Sequence, residues 1–404
     1  MKHFLRQLGP GLLFAGAAIG VSHLVQSTRA GADYGFGLIW ALVLIHIIKY
    51  PFFQFGPRYA AATGKSLLDG YKQLGKLVLV LYFSINLLTM FTIQTAVTIV
   101  TAGIATYIFG IDWSITTWSL LITAICTLIL LLGRYNLLDN LMKFIVITLT
   151  ISTIIAVSIA GFEPHQDVDF IQILPTDAIG IAFLIAFMGW MPAPLDISIW
   201  HSLWSLEKAK SGKLTRKSAI FDFNVGYAGT ISVGTCFVAL GALVMHNTGQ
   251  SFSANGVTFA KDLIDMYTIN LGNWAFYLIG IAALTTMFST TLTTLDASPR
   301  AMSKTIELLL DKPIKQGYSI WMIILILGTG CILLFLTNEM GTLVQVATVL
   351  SFLTAPFFAI ANYFAINSKE VPEPDRPGKG LKIFSWLGII LLIVFSIWYL
   401  STLF

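Results

Sequence analysis

Met188, Met191 and Asp196 fall within nine residues of one another in an apolar stretch, AIGIAFLIAFMGWMPAPLDISIWHSLWS, that runs from Ala178 to Ser205. The Met191 thioether and the Asp196 carboxylate, with backbone carbonyls between them, are the makings of a cation site. Pro192 and Pro194 stand in the middle of the group. Proline removes an amide donor and clashes with the carbonyl four residues back, so a helix breaks here. The stretch is about long enough to cross a bilayer, which takes roughly 20 apolar residues. In lipid, broken backbone survives only where it is buried in protein or lines a wet cavity. An interrupted span with free backbone dipoles and a nearby acid is how membrane carriers build a site at mid-bilayer. A plain proline kink is the alternative. A charged acid at bilayer depth costs roughly 2.5–3.5 kcal/mol on insertion scales, which argues that Asp196 faces a cavity or a cation. Its other available roles are pairing with a base such as Lys49, or lying at the membrane surface.

A second group sits near the N-terminus, in GPGLLFAGAAIGVSHLVQSTRAG. Gly16 and Gly20 weaken a helix by about 1 kcal/mol each relative to alanine. Val21-Ser22-His23 comes next, where more apolar residues are expected, so this span breaks too. Gly20 and Ser22 suit a ligand at an exposed helix end. His23 is a neutral imidazole ligand, a proton carrier, or a structural hydrogen bond between spans. Further on, Asp296 and Arg300 are four apart on one helical face, which suits an ion pair serving as a structural tie or an inner gate. The threonines around them, and those from Thr89 to Thr101, either line a wet face or bond back to their own helices.

The elements that must position these groups are membrane spans. Of 404 residues, 56% are hydrophobic and only 11% charged, against roughly 25% charged in soluble domains. Eleven spans are predicted, near 10–31, 35–57, 77–109, 114–133, 138–161, 178–204, 220–245, 271–299, 317–337, 341–366 and 382–403. The whole chain, 1–404, reads as one transmembrane domain with short links. Its N-terminus has the look of a signal peptide but runs on without a convincing cleavage site, and reads as the start of span one. The proline-rich link from Ser368 to Lys382 is predicted to be a flexible loop.

Lysine and arginine concentrate at the N-terminus (Lys2, Arg6) and in alternate links. These hold Arg58, Lys65, Lys72 and Lys76; Arg134 and Lys143; Lys208, Lys210, Lys213, Arg216 and Lys217; Lys304, Lys312 and Lys315; and Lys369, Arg376, Lys379 and Lys382. The remaining links carry acids instead (Asp33, Asp112, Glu163, Asp167, Asp169, Glu339), with Lys261 the exception. The positive-inside rule then predicts a multi-pass cell-membrane protein with its N-terminus in the cytoplasm and its C-terminus outside. Two interrupted spans five apart fit an inverted repeat of spans one to five (10–161) against six to ten (178–366), with span eleven appended.

Four stretches in order resemble the Nramp metal-ion transporters: GPGLLFAG at Gly9–Gly16, Tyr59-Ala60-Ala61-Ala62-Thr63-Gly64, Met191-Pro192, and Ser289-Thr290-Thr291-Leu292-Thr293. The resemblance runs over most of the chain. It implies an all-α polytopic fold of the LeuT type, five plus five spans and an eleventh, and transport of a divalent metal ion such as Mn²⁺ or Fe²⁺ through the bilayer. Carried over residue by residue, it places the Met188 carbonyl and the Met191 thioether at the metal, and puts Thr348 where the family has a glutamine. The departures are as informative. Where the family has Asp-Pro-Gly-Asn, this chain has Gly20-Val21-Ser22-His23. Where it has Met-Pro-His, the histidine becomes Ala193, or Asp196 if the register slips by three. The two acids of family span three fall at Gln94 and Val97.

The expected function is therefore a secondary transporter of a divalent metal ion working by alternating access, without the usual proton coupling. A transporter of another small solute on the same scaffold, an organic ion or amino acid, is the alternative. Its motive is the missing span-one carboxylate, since exposed helix N-termini suit an anionic substrate. The residues predict no cofactor, no enzyme active site and no nucleic-acid partner. The formal charge of +4 needs none, and no phosphate loop, HExxH or paired cysteine motif is present.

Overall fold

Each long apolar run folds as a helix, and the runs around Ile19–Val21 and Met191–Asp196 fold as two helices apiece, whereas Pro51, Pro57, Pro299 and Pro356 are carried inside unbroken helices. The computed structural model describes residues 8–162, 169–210, 212, 214–247, 261–265, 268, 272–335 and 340–402. Lys2, Arg6, Glu163, Asp167, Lys213 and Glu339 of the charge pattern lie outside them. Among the described residues there is no strand. In chain order the helices are α1 (Pro10–Ala18), a π-helical turn (Ser22–Ser27), α2 (Thr28–Tyr34), α3 (Ile39–Thr63), α4 (Leu67–Leu74), α5 (Lys76–Phe109) and α6 (Ile115–Phe162). Next come α7 (Ala178–Trp190), α8 (Ile197–Ala209), α9 (Arg216–Val244), α10 (Trp274–Leu310), α11 (Gly317–Phe335), α12 (Met340–Ile366) and α13 (Lys379–Ser401).

Nine segments among the described residues are single helices long and apolar enough to cross a membrane. A tenth span is α1 with Ser22–Tyr34, a pair bent by 50°. The other is α7 with α8, 13 residues each, meeting across Met191–Asp196. The predicted order of spans is present, with three differences. Spans four and five, Ile115–Leu132 and Leu137–Phe162, are joined by helical backbone rather than by a loop. The link after span two contains α4, which buries Leu67, Leu68 and Tyr71 and is started by a capping box between Ser66 and Asp69. Span eight runs eleven residues past its predicted end at 299, to Leu310, with Pro299 inside the helix.

The link from Ser368 to Lys382 is the clearest correction. It is pinned, not flexible. Arg58 donates to the carbonyls of Asp375 and Arg376 at 2.8 Å each. Glu370 takes Lys65 at 2.8 Å and the Tyr59 hydroxyl at 3.1 Å, and Arg216 reaches both Pro374 O and Asp375. Charge in a short link finds partners on neighbouring helix ends, a possibility that composition does not exclude.

These ion pairs also gather the basic links at one end of the molecule. Lys65 meets Glu370, Lys72 meets Asp311, Lys304 meets Asp69, and Lys208 meets Asp139. Within the bundle, spans one and seven cross backbone against backbone at four glycines. A Cβ on Gly11 would overlap the Asp222 carbonyl, on Gly226 the Gly11 carbonyl, on Gly31 the Val238 carbonyl and on Gly241 the Thr28 carbonyl. Small residues permit such close approach where lipid gives helices no hydrophobic reason to associate.

Candidate functional site

The two breaks face each other. Helix α1 ends at Ala18 and the backbone bends through Ile19–Val21 before the π-helical turn begins. Helix α7 ends at Trp190, and α8 restarts with Ile197 N bonding to Pro194 O at 3.2 Å. The Met191–Pro192 peptide is cis. Between the breaks lies a cavity of about 30 Å³, enough to admit water. Its walls include Gly20 and Ser22 from span one, Val97 from span three, Pro194 and Asp196 from span six, and Thr290 and Thr294 from span eight.

Among the described residues, Asp196 is the only acid on this wall. Its side chain is buried, and Oδ1 has no hydrogen-bond partner among the described residues. Trp200 Nε1, on the same wall, is also unpartnered. A buried carboxylate oxygen left bare is costly unless something cationic or protic meets it. Two hydroxyls on the wall are engaged with span-one carbonyls. Thr290 Oγ1 donates towards Gly16 O at 3.2 Å and Ile19 O at 3.1 Å, and Ser22 Oγ towards Ala18 O at 2.9 Å. Helix ends leave carbonyls without partners, and span eight supplies these for α1. Gly20 is required here because a Cβ would sit on the Thr290 hydroxyl.

The carbonyls at the end of α7 are met differently. Lys49, fully buried on α3, donates from Nζ to Met188 O at 2.9 Å, Gly189 O at 2.7 Å, Met191 O at 2.9 Å and Ala193 O at 3.3 Å. The Met188 carbonyl, which the family resemblance offers to a metal, is thus occupied by a lysine. No ion pair joins Lys49 to Asp196 among the described residues.

The other expected site residues are dispersed. His23 is fully buried beside the cavity, not on its wall. Its Nδ1 bonds with Ser22 Oγ at 2.8 Å and its Nε2 with Thr230 O at 3.1 Å, tying span one to span seven. Met188 and Met191 are buried in the apolar core. Thr348 bonds back to Gln345 O at 2.8 Å, while its own carbonyl lies against Gly189. No group of three or more His, Cys, Asp or Glu able to hold a metal is present among the described residues.

Asp296 and Arg300 do form their pair, at 2.6 Å. Asp296 also accepts from Trp204 Nε1 and the Tyr318 hydroxyl, both at 2.9 Å, and Arg300 reaches Glu207 at 3.3 Å. Spans six, eight and nine are thereby tied together at the basic end. Nearby, Asp222 accepts from Gly9 N at 2.9 Å and Gly11 N at 2.7 Å, capping α1 from span seven. The Thr-rich faces of spans three and eight pack on each other, with Gln94 reaching Thr291 O at 3.4 Å and Thr101 meeting Thr291 at 2.8 Å.

Lys49 as a cation partner for backbone was not expected from the sequence, whereas Thr290 and Thr294, of the span-eight threonines offered as a wet face, do reach the cavity wall. One signal for Lys49 was available: a base in the middle of the apolar run IHIIKYPFF is itself a mark of function.

The profile of the Nramp family, described as natural resistance-associated macrophage protein-like, matches residues 11–402. An uncharacterized protein of Pasteurella multocida is 35% identical over 402 residues, covering 98% of this chain and 92% of its own length. The divalent metal cation transporter MntH of Staphylococcus haemolyticus is 21% identical, covering 98% and 91%. Among solved structures, the manganese transporter of Eremococcus coleocola superposes with a TM-score of 0.76 at 14% identity, over 99% of this chain and 87% of that one. MhsT in complex with L-phenylalanine superposes at 0.60 and 15%, over 96% and 98%. The architecture is thus the LeuT type, all-α, with two broken spans at its centre.

Proposed function

The chain belongs to the Nramp family, and from that premise we propose that it is a secondary transporter carrying a divalent metal ion, Mn²⁺ foremost, by alternating access. One observation carries the reading: a buried, unpartnered carboxylate oxygen of Asp196 on the wall of an ion-sized cavity between the two broken spans. The names of the relatives agree, one a divalent metal cation transporter and another a manganese transporter. The donor chemistry favours Mn²⁺ over Fe²⁺. Carboxylate, hydroxyl and water suit Mg²⁺, Ca²⁺ and Mn²⁺, whereas softer ions favour the nitrogen and sulfur ligands absent from this wall. Gly20, Ser22 and Asp196 form the substrate site in this reading, with Pro192 and Pro194 holding the break open. Asp296 and Arg300 close the inner end.

The protein sits in the cell membrane, N-terminus inside and C-terminus outside, and carries its ion without the proton route of family span three. Gln94 and Val97, at the positions of the family's acids, cannot exchange a proton. A C-terminal alkaline phosphatase fusion should be active and a fluorescent-protein fusion dark. Proteoliposomes loaded with a metal-sensitive dye should report Mn²⁺ entry above empty vesicles. No uptake of any divalent cation would sink the proposal. Thermal stabilisation by an amino acid and by no metal would instead favour an organic solute, since a ligand of the folded state raises its melting temperature.

A further inference from the structure

Four carbonyl oxygens converge where α7 ends, on Met188, Gly189, Met191 and Ala193. Pro192 and Pro194 between them have no N–H to offer. The C-terminal end of a helix carries partial negative charge, and oxygens gathered around broken membrane backbone are what cation sites are built from. Here the centre of the cluster is already filled. Lys49 Nζ donates to three of the oxygens at 2.7–2.9 Å and lies 3.3 Å from the fourth. An ammonium has only three protons to give, so the fourth oxygen shares one of them or is held by charge. Lys49 has no carboxylate within ion-pair distance among the described residues, and its hydrogen bonds there go to backbone oxygens.

We propose that the Lys49 ammonium is a resident cation, tethered to span two, that fills the oxygen cluster at the span-six break and leaves only the Asp196 cavity to the mobile ion. This deepens the transport reading and rests on it for one consequence. Because the charge arrives on a side chain, the cluster stays neutralised when no cargo is bound. The empty protein can then switch between its two faces without a second ion.

The test uses the purified full-length protein. Lys49→Ala should lower the melting temperature by at least about 5 °C, since four buried acceptors lose their donor. Added n-propylammonium replaces the atoms from Cγ to Nζ and should restore at least about half of that loss, while propanol should not. Equal effects of amine and alcohol, or no effect of either, would overturn the proposal. If Lys49→Ala does not fold, Lys49→Met carries the test. It should melt lower than wild type and gain a saturable stabilisation by Na⁺ or K⁺ that wild type lacks. A Lys49→Met protein as stable as wild type and indifferent to both ions refutes a resident cation. Absence of Mn²⁺ uptake by the wild type, with amine rescue intact, would instead fault the transport reading alone.

Discussion

At the scale of single residues, Asp196 and His23 sit beside the same cavity and have opposite surroundings. Asp196 has an oxygen with no partner, whereas both ring nitrogens of His23 are engaged. Asp196→Asn should therefore weaken Mn²⁺ binding by about 100-fold or more, given that even outer-shell changes at metal sites cost about 10–100-fold. Its melting temperature should stay within about 3 °C of wild type, because neutralising a bare buried carboxylate relieves desolvation. A stable variant that still binds metal would remove Asp196 from the site. His23→Ala should do the reverse. It removes the buried imidazole's bond to the Thr230 carbonyl, at a cost of about 0.5–1.5 kcal/mol plus that of the cavity left behind, while leaving metal affinity within about 3-fold. Calorimetry and thermal melts on one preparation of each variant separate the two roles.

At the scale of elements, the site depends on how closely span seven approaches the two halves of span one. Gly31 and Gly241 permit backbone contact with the second half of span one, as Gly11 and Gly226 do with the first. Gly241→Val would drive a branched side chain into the Thr28 carbonyl and should lower the melting temperature by more than about 5 °C or prevent recovery of folded protein. Gly229 lies on the same helix with nothing within 4 Å of its would-be Cβ. Gly229→Val is the control and should be nearly silent. Equal loss in both variants would point to helix propensity rather than to packing.

At the scale of the whole molecule, the question is whether a proton accompanies the metal. Proton relays in membranes run through Asp, Glu and His chains. On the faces packed between spans three and eight there are threonines and Gln94 instead. A pH-sensitive dye inside proteoliposomes should stay silent while Mn²⁺ enters. Acidification that tracks uptake and disappears in His23→Ala would show a relay displaced to span one.

Much of this arrangement was legible in the residues themselves. Pro192, Pro194 and the glycines of span one mark the two breaks, and the lysine and arginine pattern orders the links, because helix breaking and charge burial are local costs. Asp196, Gly20 and Ser22 reached the cavity for the same reason: each stands at a break. The facing of the neighbouring side chains was not local. A π-helical turn from Ser22 to Ser27 widens the helix at the break, and His23, within that turn, meets span seven at the Thr230 carbonyl. Lys49 is 139 residues from Met188 in sequence, and only tertiary packing decides that its ammonium, rather than a mobile ion, meets the carbonyls of the span-six break. Proline and glycine, placed by the sequence, determine where backbone oxygens are set free; the fold decides which cation reaches them.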